Sequence, residues 1–257
     1  MNNNRSILRY DFANILFGGL CNLRCPYCIG RQLDPALGED NLRRFPLKNL
    51  HRFVALLRRY RITRLTFTGT TTDPQLYRHE ARLLRWLRER LPPETRITLH
   101  TNGQLALRKM ATFNLYDRAC ISFPSFRPQV YRAMTGNDRV PDLAAIVRRA
   151  TIPVKVSCVL TEDNVGEVDD FLAQCHATGV RRLVFRRLYG DTRRWPVLQN
   201  LPQVGVYRRN PVYDYRGMEV TYWDFGQTSS TSLNLFSNGL ISDRYLLAEA
   251  GAVRGVR

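Results

Sequence analysis

Between residues 14 and 188 six short apolar or alternating runs are separated by stretches with helical spacing, and this rhythm restricts the fold more than any other feature. Asn14–Gly18 is the first apolar run, and Leu47, Leu50, Phe53, Val54 and Leu57 then recur at helical intervals. Arg64–Thr68 alternates as a strand does. Leu76, Leu83, Leu84, Leu87 and Leu91 mark the next helix, which Pro92-Pro93 closes. Further strands are expected at Arg96–Thr101, Arg118–Phe123, Val154–Leu160 and Arg182–Leu188. Helices are expected at Leu105–Phe113, Pro128–Met134, Asp142–Ala150 and along the stripe Val165, Val168, Phe171, Leu172 and Cys175. Strand–helix repeats in series imply parallel strands joined by right-handed crossovers. The expected architecture is α/β: a partial (β/α)6 TIM-like barrel over residues 1–190, with a small β-containing C-terminal extension over 191–257. Sites in such barrels gather at the carboxyl ends of the strands.

Three of the six cysteines, Cys21, Cys25 and Cys28, fall in one loop after the first strand. No run approaches the length of a membrane span. Met1-Asn2-Asn3-Asn4-Arg5 lacks the apolar stretch of a secretory signal, so a cytoplasmic location is expected. In a reducing compartment, clustered thiols serve metal binding or redox chemistry more readily than disulfides. A closed zinc site normally takes four ligands, and the nearest histidine, His51, lies in an expected helix. An iron–sulfur cluster with one iron left open suits three thiolates better. Cys175 and Cys158 fall on apolar faces and read as packing. Cys120 shares a strand face with Ser122 and is the one remaining thiol with a possible place inside the barrel.

The spacing Cys21-x3-Cys25-x2-Cys28, with Tyr27 directly before the last cysteine, resembles the signature of the radical S-adenosylmethionine (radical SAM) superfamily. The resemblance covers residues 10–190. It implies a 4Fe-4S cluster on the three cysteines and S-adenosyl-L-methionine on the open iron. It also implies reductive cleavage to a 5′-deoxyadenosyl radical, with flavodoxin or ferredoxin as reductant. The pattern is closest to the molybdenum-cofactor cyclase and viperin subgroup: His100-Thr101-Asn102-Gly103, Ile121-Ser122-Phe123 and Val154-Lys155-Val156-Ser157 are similar to its segments on strands three to five. By that resemblance Gly69, Thr70, Ser122, Lys155 and Ser157 are SAM contacts, and Phe185–Leu188 flanks the adenine. One departure is evident. Thr68-Gly69-Thr70-Thr71-Thr72-Asp73-Pro74 stands where the family carries a Gly-Gly-Glu-like motif, and Asp73 is either a substitute carboxylate or a helix-start residue.

A formal net charge of +17 would draw an anionic substrate: a nucleotide or other phosphate-bearing small molecule, a nucleic acid, or a peptide with an acidic leader. Residues 181–216 hold nine arginines against Asp191 and Asp214, interleaved with tyrosine and tryptophan. Ser232–Phe236 and Leu240–Ser242 read as a hairpin about Asn238-Gly239. No cysteine follows Cys175, so no auxiliary cluster is expected there. Two alternatives remain at this stage: a basic nucleic-acid-binding protein with a structural metal loop, or a degenerate radical SAM protein without turnover.

Overall fold

The computed structural model describes residues 10–228 and 230–244. Its strands form one open sheet. The six repeats contribute β1 (Phe12–Phe17), β2 (Arg64–Gly69), β3 (Arg96–Thr101), β4 (Arg118–Ser122), β5 (Val154–Leu160) and β6 (Arg182–Arg187). Between them lie α1 (Leu50–Arg59), α2 (Glu80–Arg88), α3 (Met110–Phe113), α4 (Pro128–Thr135), α5 (Leu143–Arg149) and α6 (Val168–Ala177). The first helix buries Leu50, Phe53, Val54 and Leu57, and α6 buries Val168, Phe171, Leu172 and Cys175, the stripes expected from their spacing. The third helix is shorter than its apolar pattern, because Gly103 turns the chain at φ +79° and residues 104–109 form turns first.

Each central strand is two-faced. Leu65 and Phe67, Ile97 and Leu99, Val156 and Cys158, and Leu183 and Phe185 enter the core beneath the helices. The alternate residues Thr66 and Thr68, Thr98 and His100, Lys155 and Ser157, and Val184 and Arg186 line a cavity on the other face. One face packs; the other opens onto the cavity.

After β6 the chain adds β7 (Gln203–Tyr207), β8 (Asn210–Tyr215), β9 (Met218–Trp223), β10 (Ser232–Leu235) and β11 (Ile241–Ser242). The strand order is β11-β10-β1-β2-β3-β4-β5-β6-β9-β8-β7. β9 runs parallel to β6 and β10 parallel to β1, so the C-terminal strands extend the same sheet at both of its edges. The expected hairpin is present as β10 and β11, with Asn234 opposite Ser242. The β7–β8–β9 meander has no counterpart in the sequence pattern. Its first turn is Arg208-Arg209, both left-handed at φ 49° and 66°, where asparagine or glycine is the usual occupant.

Candidate active site

The cysteine loop leaves β1 through two glycines that no larger residue could replace without movement. A Cβ on Gly18 would sit 2.5 Å from the Glu39 carbonyl oxygen, and Gly19 holds φ +134°. Three threonine hydroxyls then fasten this loop to the end of β2. Thr70 Oγ1 donates to the Phe17 carbonyl (3.0 Å), Thr71 to Gly19 (3.2 Å) and Thr72 to Leu20 (2.8 Å). Gly30 lets the far side of the loop close on the same segment, since a Cβ there would fall 1.7 Å from the Thr70 carbonyl oxygen. Arg24 N–H donates to Thr135 at the end of α4.

Cys21, Cys25 and Cys28 are half-buried free thiols on the wall of the cavity. Burial, and then the neighbouring Cys28 and Cys21, push the Cys25 thiol up to about 12; burial also raises Cys21. Among the described residues no three Cys, His, Asp or Glu side chains converge closely enough for a single ion. A polynuclear cluster gives each thiolate its own iron. Three thiolate donors on one loop, with the Gly30–Thr70 contact closing the cradle, fit such a cluster better than a mononuclear structural metal.

Asp73 is not poised as a ligand. It is fully buried, its Oδ1 accepts from Gln75 N–H at 2.8 Å, and its Oδ2 accepts from Asn102 N–H at 2.6 Å. Thr101 Oγ1 donates to the same carboxylate, at 2.9 Å from Oδ2. Burial pushes the carboxyl up, and these donors pull it down. Asn102 continues the chain of contacts: its Nδ2 donates to Asn22 Oδ1 at 2.7 Å, beside Cys21. Asp73 thus ties the end of β3, through Asn102, to the cysteine loop.

The cavity measures about 2180 Å³. Gly69, Thr70, Ser122, Lys155 and Ser157 all line it, together with the three cysteines. Thr70 is buried, with its hydroxyl proton committed to Phe17, so its oxygen rather than its proton faces further partners. Ser122 lies opposite Ser157 in the ladder, and Ser157 Oγ accepts from Arg186 Nε at 2.7 Å. Lys155 lies opposite both Cys120 and Arg182, and Cys120 lies opposite His100. Burial, followed by the Lys155 and Arg186 charges, holds the His100 imidazole down at about 3, so it is neutral at physiological pH.

His100 and Arg186 belong to this wall; each falls in a segment named above for its resemblance, His100-Thr101-Asn102-Gly103 and Phe185–Leu188, but neither was expected as a contact in its own right. The signal available for both was strand period: His100 alternates with Thr98, and Arg186 with Arg182 and Val184. Of Phe185–Leu188, Phe185 is a core residue against Phe171, whereas Arg186, Arg187 and Leu188 line the cavity. The arginine-rich stretch divides similarly. Arg181, Arg182, Arg186, Arg187 and Arg208 line the cavity; Arg193 is held by Asp191 and Glu162. Cys158 and Cys175 are core, as their faces imply.

The family model for the radical SAM superfamily matches residues 15–175. A GTP 3',8-cyclase of Mycolicibacterium smegmatis is 36% identical over 160 residues, covering 58% of this chain and 42% of that protein. A GTP 3',8-cyclase of a Mycobacterium species is 30% identical over 198 residues, covering 72% of this chain and 54% of the relative. The chain thus spans about half the length of the curated relatives it matches. Among solved structures, Streptococcus suis SuiB bound to precursor peptide SuiA superposes with a TM-score of 0.56 at 18% identity, over 70% of this chain and 40% of that one. Native anSMEcpe with bound AdoMet gives a TM-score of 0.52 at 16% identity, over 69% and 51% of the two chains. These likenesses establish the fold as the open, parallel-sheet barrel of such enzymes. With the cysteine loop, the barrel and the matching family model together, the chain belongs to the radical SAM superfamily of enzymes.

Proposed function

We propose that this chain binds a 4Fe-4S cluster through Cys21, Cys25 and Cys28 and uses S-adenosyl-L-methionine to abstract hydrogen from an anionic, phosphate-bearing substrate. The bound cofactors would supply the radical chemistry; the protein's share is binding, orientation and exclusion of water. The observation that carries the substrate class is the cavity wall, where Lys155, Arg182, Arg186, Arg187 and Arg208 share one space with the cysteine loop. Arg182 is offset by Glu219, Arg187 by Asp224 and Arg208 by Asp11, whereas Lys155 and Arg186, with Arg24 and Arg31 of the cysteine loop, line the cavity without a carboxylate partner among the described residues and are left to meet a ligand. Gly69, Thr70, Ser122, Lys155 and Ser157 are the candidate contacts for S-adenosyl-L-methionine. Thr70 supplies oxygen lone pairs, Lys155 a cation for the carboxylate, and Ser157 holds Arg186 in place. Neutral His100 can accept or donate a hydrogen bond without adding charge.

A nucleotide is favoured over nucleic acid or a leader peptide, because the relatives above 30% identity are named for a reaction of GTP. The chain reaches only half their length, so the class, not the cyclisation, is what this supports. A reductant such as flavodoxin or ferredoxin completes the requirement. The test is anaerobic: reconstitute with iron and sulfide, reduce with dithionite, add S-adenosyl-L-methionine with and without GTP, and measure 5′-deoxyadenosine. Product that rises with GTP and vanishes in Cys25→Ala supports the proposal. A cluster that forms yet yields none with either mixture defeats it and leaves the degenerate-member alternative.

A further inference from the structure

We propose that the surface around Leu20 is the docking site for an acidic flavodoxin that delivers single electrons to the centre held by Cys21, Cys25 and Cys28; this rests on the redox function proposed above. Leu20 immediately precedes the first cysteine and is 87% exposed, more than any other large apolar side chain among the described residues. An isolated exposed leucine needs no explanation. This one is different because its backbone is fixed: Thr72 Oγ1 donates to the Leu20 carbonyl and Thr71 Oγ1 to that of Gly19. The side chain is therefore held outward by the same contacts that shape the cysteine loop.

Beside it lies a shallow groove of about 380 Å³ lined by Leu20, Leu42, Leu76, Asp40, Arg43 and Arg78. Its floor is apolar and its rim basic. Arg43 and Arg78 are both exposed, and neither is ion-paired among the described residues, whereas the nearby Arg44 and Lys48 are both held by Glu39. The single acid of the groove, Asp40, accepts from Leu42 N–H and shapes the turn. An apolar centre ringed by free arginine matches a partner that surrounds an apolar contact with carboxylates. A flavodoxin offers that pattern, because the dimethylbenzene edge of its flavin is apolar and protein acids can surround it. Position decides the rest. Electron transfer falls steeply with distance, and Leu20 adjoins Cys21, the first thiol of the loop, directly in the chain. In the transfer the reduced flavin loses one electron and the cluster gains it, with no bond made or broken. A second copy of this chain is the poorer occupant, since both copies carry a formal +17.

The experiment titrates a purified acidic flavodoxin into the reconstituted protein and follows binding by calorimetry. Wild type should bind at low ionic strength and more weakly as salt rises. Arg43→Glu/Arg78→Glu should weaken binding by about tenfold or more, because like charges then meet across the contact. Arg58→Glu/Arg148→Glu, the same charge change on exposed helix surface elsewhere, should leave it unchanged. Flavodoxin-driven 5′-deoxyadenosine should fall with affinity in the first variant, while dithionite-driven product stays at the wild-type level. Equal affinities in the two variants, no binding by wild type at low salt, or an arginine-dependent fit to a ferredoxin with none to flavodoxin would each overturn the proposal. If dithionite yields no product even in wild type, the proposed activity is what fails, and the affinities still decide the docking site.

Discussion

Asp73 separates two accounts of the loop after β2, and its substitution gives numbers that differ between them. As a structural residue it presents both carboxylate oxygens to N–H donors, Gln75 on one side and Asn102 on the other, with Thr101 Oγ1 between them. Asp73→Asn keeps the shape and one acceptor oxygen but turns an amide NH2 toward one of those N–H groups. Losing one charge-assisted hydrogen bond and leaving its buried donor unmet costs about 1.5–3 kcal/mol. Burial already raises this carboxyl, which offsets part of the charged group's advantage and keeps the expected loss near the lower end, about 2 kcal/mol. Asp73→Ala also leaves the second N–H and the Thr101 hydroxyl unmet, and about 3–4 kcal/mol is expected. Anaerobic urea unfolding of the cluster-free protein measures both. A cycle with Thr101→Val adds a check, because the pair shares one network and its effects should fall short of additive. If Asp73→Asn costs less than about 0.5 kcal/mol, the range of an ordinary surface change, the structural account is wrong and Asp73 is free to serve as the missing ligand carboxylate.

Cys25→Ala should abolish the iron–sulfur chromophore, whereas Cys175→Ala, in the apolar core, should keep it at a cost of about 1 kcal/mol in urea unfolding. Gly30→Ala would drive a Cβ to 1.7 Å from the Thr70 carbonyl, so the cysteine loop must part from β2. A loss of about 3 kcal/mol or more and less iron retained per chain are expected, and wild-type iron retention would refute the close approach. His100 is held at about 3 when folded against 6.5 for a free imidazole. Below pH 6.5 the unfolded chain therefore binds a proton that the folded chain refuses, and stability is lost as pH falls toward 3, at no more than about 1.4 kcal/mol per pH unit. His100→Asn should flatten that slope between pH 6.5 and 4.5; an unchanged slope would place the acid sensitivity elsewhere.

The strand–helix order was legible because each central strand carries its own alternation and each helix its stripe. The cysteine loop was legible because its chemistry is local: three thiols within eight residues need no tertiary knowledge. The β7–β8–β9 meander was not. Its first turn places Arg208 and Arg209 in the left-handed region without glycine or asparagine to announce it, and one distant and one local contact hold it: Arg208 pairs with Asp11 at 3.2 Å, and the Arg208 carbonyl accepts from Asn210 Nδ2 at 2.9 Å. Asp73-Pro74 could be read locally as a helix start, and it is one. That its second oxygen reaches Asn102, 29 residues on, depends on β2 and β3 lying side by side.

His100 and Arg186 show which kind of signal goes unread when motifs are sought one at a time. Neither lies in a dense cluster of chemistry-bearing residues. Each instead alternates with core residues of its strand, Ile97 and Leu99 in one case, Leu183 and Phe185 in the other, and so falls on the face turned from the helices. A parallel barrel strand covered by helices has no solvent side on which to spend polar residues. Its polar positions must therefore face the barrel interior, and the same rule collects Thr66, Thr68, Thr98, Cys120, Ser122, Lys155 and Ser157 on that wall. Applied strand by strand it would have drawn the polar wall of the cavity from sequence, with Lys155 and Arg186 as the cations beside His100.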